Sequence, residues 1–165
     1  TVINGRAIGD VLRSLGARTV LFSDIVDPRI AQRFDPDPEM QAEIWSSGVI
    51  PIFSGVGDPG DGITTDTVAA LKAMQLGCGI LLKATKLDGV FDKDPVEANA
   101  KVLPWVTYDD YLIKKYAVMD EEAIVKCKRA GIPIRVFRFG PLHLQNLERA
   151  LDGGCGTLIG ADSAP

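Results

Sequence analysis

At 165 residues the chain is long enough for one domain with a sizeable core, and 46% hydrophobic and 24% charged content is ordinary for a globular protein. A net charge of −4 and a pI near 5.0 argue against a nucleic-acid or polyanion surface. No apolar run approaches the length of about 18 residues that a membrane helix needs, and no signal peptide is visible. A soluble, cytoplasmic protein with no membrane or nucleic-acid partner is therefore expected. Cys78, Cys127 and Cys155 are widely spaced, lack metal-ligand spacing, and read as reduced, buried fillers.

In chain order, Ile3, Ala7, Ile8, Val11, Leu12 and Leu15 recur at helical spacing over residues 2–15, with Gly16 as a stop. Residues 17–22 read as a strand. Residues 23–38 hold four Asp and three Pro and are expected to form a loop, with at most a short helix. Pro38 to Ser47 is a predicted helix, and Val49 to Phe53 an apolar strand. A loop with Gly55, Gly57, Gly60 and Gly62, broken by Pro59, then runs into Thr64-Thr65-Asp66. The helix predicted from about Asp66 to Leu76 is apolar almost all round, so it should be well buried.

Strand, glycine loop and helix start together make a phosphate-binding arrangement. Glycines let backbone N–H groups approach an anion, and the helix start adds unpaired donors and a positive dipole end. Thr64 or Thr65 can cap that helix through its hydroxyl. Gly57 to Thr64 reads G-x-x-x-x-G-I-T, a Walker-like loop with Ile63 where lysine would stand. The cation for a phosphoryl group must then come from elsewhere. The plain alternative is a surface loop between strand and helix.

Further on, Cys78 to Leu82 reads as a strand, with Lys83-Ala84-Thr85-Lys86 at its C-terminal end, where open parallel sheets bind ligands. Leu87 to Pro95 is turn-rich and is expected to form a hairpin arm with Val102 to Val106. Helices are predicted over Tyr108 to Lys115, Asp120 to Ala130 and Leu142 to Leu151, and strands over Ile134 to Phe137 and Thr157 to Ile159. Alternating β and α units with apolar strands imply an α/β fold: a three-layer α/β/α sandwich around a mostly parallel sheet.

Several ordered motifs resemble one family, the bacterial-type UMP kinases of the amino acid kinase superfamily. They are GVGDPGDGITTDTVAA, LLKATKLDGVFDKDP, Val118-Met119-Asp120, Pro133 to Phe137 and Gly156-Thr157-Leu158, together with the opening TVINGRAIGDVL. The resemblance implies transfer of the ATP γ-phosphoryl to UMP, with Mg²⁺ held mainly through nucleotide phosphates and no dedicated protein metal site. It implies UMP contacts from Gly55, Val56, Gly57, Asp58, Thr64 and Thr65. It places Lys83, Thr85, Phe91 and Asp94 on the ATP side, with Phe91 against the adenine, Asp94 near the ribose and Lys86 as a nearby cation. Asp66 and Asp120 match acidic positions that orient catalytic groups or act through Mg²⁺. A homo-oligomer, commonly a hexamer, is also implied.

Two departures from the family pattern stand out. The glycine loop is two residues longer than the family's, and Asp58 replaces an Asn, setting a carboxylate near a phosphate unless it turns away or meets a cation. The family's first third, which carries the catalytic lysine, has no counterpart, so residues 1–165 are expected to form a single partial domain, incomplete at the N-terminus. Rival readings are a superfamily kinase making an acyl phosphate, such as a glutamate or aspartate kinase, and a non-catalytic anion-binding relative.

Plain structural roles also fit several of these residues. Asp120 is a good helix N-cap, Asp88-Gly89 a common turn, and His143 a surface residue. Trp45 and Trp105 read as core or interface packing, and Lys126 to Arg129 as complements to a helix dipole.

Overall fold

The computed structural model describes residues 2–23, 31–32, 37–54 and 63–161, which fall into two compact units, Thr1–Ile63 and Thr64–Pro165. In the first unit, α1 (Val2–Ser14) leads to β1 (Thr19–Phe22), and α2 (Pro38–Ser47) leads to β2 (Ile50–Phe53). The two strands pair in parallel, from Thr19 opposite Ile50 to Phe22 opposite Phe53. The Phe22 and Phe53 rings stack with centroids 5.3 Å apart. Helix α2 starts where the Asp37 carboxylate accepts the Met40 N–H at 2.7 Å, and it stops at Gly48, whose φ of 64° suits glycine. Of the predicted loop, Gln32 is described: it adds a bridge beside β1, donating to the Leu21 carbonyl and accepting from the Ser23 N–H.

Helix α1 has the predicted span, but its apolar stripe is not its buried face. Ile3 is 82% exposed and Leu15 77%, whereas Gly5 and Gly9 are buried. A Cβ at Gly5 would lie 2.6 Å from the Ser54 Cβ and 2.9 Å from a Leu21 methyl. Only a glycine face lets the helix approach this ribbon so closely.

The second unit holds a four-stranded sheet, ordered β3-β5-β6-β4, from β3 (Leu81–Thr85), β5 (Ile134–Arg138), β6 (Thr157–Gly160) and β4 (Trp105–Thr107). β3 and β5 are parallel, β4 and β6 are parallel, and β5 and β6 run antiparallel. Helices α3 (Thr65–Gln75), α4 (Tyr108–Ile113) and α5 (Glu121–Ala130) share one core with the sheet, built on Ala70, Tyr111, Ile124, Ile134, Val136 and Ile159. Strand alternation sends Arg135 and Phe137 to the other face. There α6 (Asn146–Leu151) packs on β5, and the Asn146 amide donates to the Arg138 carbonyl at 3.0 Å. Layered helices around a largely parallel sheet bear out the expected α/β class.

Three boundaries differ from the sequence reading. β3 begins at Leu81, not Cys78, because the Leu76, Gly77 and Cys78 amides still donate back to the α3 carbonyls of Lys72, Met74 and Ala73. Lys83 and Thr85 are thus strand residues. The hairpin arm is shorter than expected: residues 90–92 pair with 101–103, while Trp105–Thr107 joins β6 instead. α6 starts four residues late, since residues 141–145 make turns that include the His143 N–H donating to the Gly140 carbonyl. His143 is half-buried. Trp45 is exposed, not a core residue, and of the cysteines only Cys127 is fully buried.

Candidate functional site

Gly55, Val56, Gly57 and Asp58, the expected phosphate loop, lie outside the described residues. The helix start that follows them is described. Thr64, of the two candidate threonines, is the cap: its hydroxyl accepts the Thr67 N–H at 3.2 Å and lies 3.3 Å from the buried Thr67 hydroxyl. Thr65 is exposed in the first turn. Asp66, also in that turn, is half-buried and forms an ion pair with the Lys83 ammonium. Seventeen residues of sequence separate them. β3 therefore delivers a partly buried cation to the start of α3, the feature the loop lacks at Ile63.

Thr85 ends β3, where its carbonyl accepts the Phe139 N–H at 2.9 Å, and Lys86 beyond it is exposed. The chain then turns through Gly89. A Cβ there would sit 2.4 Å from the Thr157 hydroxyl oxygen, so this turn leaves no room for a side chain. That hydroxyl accepts the Val90 N–H at 2.8 Å and donates to the Leu103 carbonyl at 2.6 Å, pinning both sides of the short arm to the sheet.

The arm forms one wall of a pocket of about 510 Å³. From the arm, Phe91, Asp92, Lys93 and Asp94 line it, and residues 114–118, just after α4, complete the lining. Asp94 is shaped by an Asx turn, its carboxylate accepting the Val96 N–H at 2.9 Å. The pocket offers an aromatic and aliphatic slot edged by two carboxylates, Asp92 and Asp94, and three lysines, Lys93, Lys114 and Lys115. That lining suits a flat, polar-edged ring carrying anionic groups. Phe91 and Asp94 both line this pocket. The 114–118 wall was not foreseen, although the Val118-Met119-Asp120 motif adjoins it.

Asp120 occupies the N-cap position of α5, but its side chain makes no capping hydrogen bond and is exposed. The capping role that suited it in sequence is not the one its carboxylate plays. The pKa of the Tyr111 hydroxyl is pushed up to about 12 by burial, against the backbone hydrogen bonding at Met119 and Val118, with the smallest contributions, upward, from the Asp66 and Asp120 carboxylates. Among the described residues, no group of three acidic, Cys or His side chains is placed to hold a metal ion, and no helix is long and apolar enough to cross a membrane.

Comparison with known proteins adds to this geometry. A profile of the Amino acid kinase family matches residues 3–138. A uridylate kinase of Magnetococcus marinus is 41% identical over 138 residues, covering 83% of this chain and 56% of that protein. One from Chlamydia pneumoniae is 39% identical over 166 residues, covering 98% and 64% respectively. The crystal structure of a UMP kinase from Bacillus anthracis superposes with a TM-score of 0.87 at 28% identity, over 99% of this chain and 66% of the other. A Ureaplasma parvum UMP kinase gives 0.83 at 27% identity. The chain thus spans less than two thirds of the length of the two uridylate kinases described.

Proposed function

This chain belongs to the amino acid kinase family, and from that premise we propose that it carries the nucleotide-handling part of a UMP kinase, which moves the ATP γ-phosphoryl to UMP to give UDP and ADP. The observation that carries this reading is the Asp66–Lys83 ion pair, which supplies a fixed cation at a helix start suited to phosphate. Phosphoryl transfer needs positioning and charge neutralisation more than an acid or a base.

In this reading Phe91 packs on the adenine, Asp94 accepts from the ribose hydroxyls, and Thr85 lies beside them. Lys83, held by Asp66, faces the phosphates, and Lys86 adds a mobile cation. Thr64, Thr65 and the Gly55–Asp58 loop receive the UMP phosphate. Asp120 orients the reacting groups. Mg²⁺, when bound, supplies charge neutralisation across the ATP phosphates. Assembly into a homo-oligomer belongs to the same proposal.

A coupled assay of ADP release from Mg-ATP, with UMP, CMP, glutamate and aspartate as acceptors, tests the reading. Turnover should appear with UMP and be lost in Lys83→Met. Turnover with an amino acid but not UMP would favour acyl phosphate formation. Nucleotide binding without turnover on any acceptor would favour a non-catalytic relative.

A further inference from the structure

We propose that Tyr111 is a positioning residue for the nucleotide pocket, a latch that holds the 116–120 segment and through it both a pocket wall and Asp120. This inference rests on the nucleotide reading of the pocket given above.

The Tyr111 side chain is wholly buried at the inner face of α4, yet its hydroxyl is spent outside that helix, on the backbone at Met119. It donates to the Met119 carbonyl at 2.9 Å and accepts the Met119 N–H at 2.7 Å. A hydroxyl that takes the N–H and gives to the C=O of one residue ties down the two peptide groups on either side of it, here Val118–Met119 and Met119–Asp120. Its ring also meets Tyr116, with centroids 5.6 Å apart and planes tilted by 58°. Between these two points of attachment lie Ala117 and Val118, which line the pocket. Lys115, just before them, takes a φ of 52°, a left-handed turn that a lysine holds only where its surroundings demand it. The chain leaves α4, reverses at Lys115, and is caught again at Met119.

Asp120 follows Met119 directly, and no capping bond of its own orients it. The Met119–Asp120 peptide, held through its carbonyl, therefore sets where the Asp120 carboxylate points. The Tyr108 hydroxyl makes a comparison within the same helix: Tyr108 is also buried and its hydroxyl donates to the Ile132 carbonyl at 2.7 Å, but Ile132 is not among the pocket-lining residues. If both hydroxyls serve only stability, their removal should have equal consequences. If Tyr111 positions the pocket, they should differ.

The test is calorimetric titration of the chain with Mg-ADP in wild type, Tyr111→Phe and Tyr108→Phe, with urea melts of all three. Both variants should lose similar stability, because each gives up a buried hydroxyl. Only Tyr111→Phe should weaken Mg-ADP binding, by about fivefold, the size expected for one positioning hydrogen bond. Equal affinity in the two variants would overturn the inference while leaving the nucleotide reading intact. Absence of saturable binding in wild type would remove that reading, and this inference with it. A second measurement needs no substitution: Mg-ADP should slow hydrogen exchange at the Met119 amide of the wild-type chain. Protection confined to residues 87–95, with Met119 unchanged, would also count against the latch.

Discussion

Helices α1 and α5 carry apolar residues at the same spacing yet use them in opposite ways. α5 turns Ala123, Ile124 and Cys127 into the core and leaves Glu121, Glu122, Lys128 and Arg129 outside, signs matched to its dipole. α1 turns Ile3, Ile8, Val11 and Leu15 outward and lays Gly5 and Gly9 on the β1–β2 ribbon. Periodicity thus identifies a helix in both cases, but the sizes of the facing side chains decide which stripe is buried. Where the neighbouring backbone comes within a Cβ's reach, glycine wins over isoleucine.

The sharpest way to break this contrast is to truncate α5. Ile124, fully buried, should cost about 2 to 5 kcal/mol when replaced by alanine, read as a fall in the urea midpoint. A second effect belongs to the same core. The Cys127 thiol is pushed up to about 11 by burial, and the Tyr108 phenol to about 12 by burial and, less strongly, by Cys127. The Tyr111 phenol stands at about 12 as well. Their ordinary values are 9.0 for the thiol and 10.0 for the phenols, so between pH 9 and 12 the unfolded chain holds fewer protons than the folded one. Stability should be complete below pH 9 and fall as pH rises through that window. A midpoint flat from pH 9 to 11 would contradict the burial of these groups.

Smaller effects are expected in α1. Gly5→Val should cost about 1 to 3 kcal/mol through overpacking against Ser54 and Leu21. Ile8→Ser, on the outward face, should stay within about 0.5 kcal/mol. An Ile8→Ser loss as large as that of Ile124→Ala would show that the outward stripe is covered in solution.

Much of the fold was legible because its signals are local. The α2 span follows from Asp37, Pro38 and Gly48, and the α5 span from Asp120, its acidic first turn and Gly131. The start of β3 was misplaced because an apolar run cannot say where the preceding helix lets go. Residues 76–78 are still returning hydrogen bonds to α3. The site was partly legible. Asp66, Lys83, Phe91 and Asp94 stood out through the family motifs, and two pairs of them do come together. No spacing rule could reveal that Asp66 meets Lys83, because strand and helix are brought together only by the sheet. Tyr111 carried no motif signal at all: its role depends on a hydroxyl reaching across to Met119, which is a matter of tertiary position.

The central claim is that Lys83, held at the start of α3 by Asp66, is the cation that meets the phosphates of the bound adenine nucleotide. Calorimetric titration of the chain with Mg-ADP tests it most directly, with Lys83→Met beside Lys128→Met, whose parent lysine pairs with Asp109 on the surface. Saturable binding weakened about tenfold, or about 1.4 kcal/mol, in Lys83→Met and unchanged in Lys128→Met is the predicted result. Binding that is equally tight in Lys83→Met and wild type would contradict it.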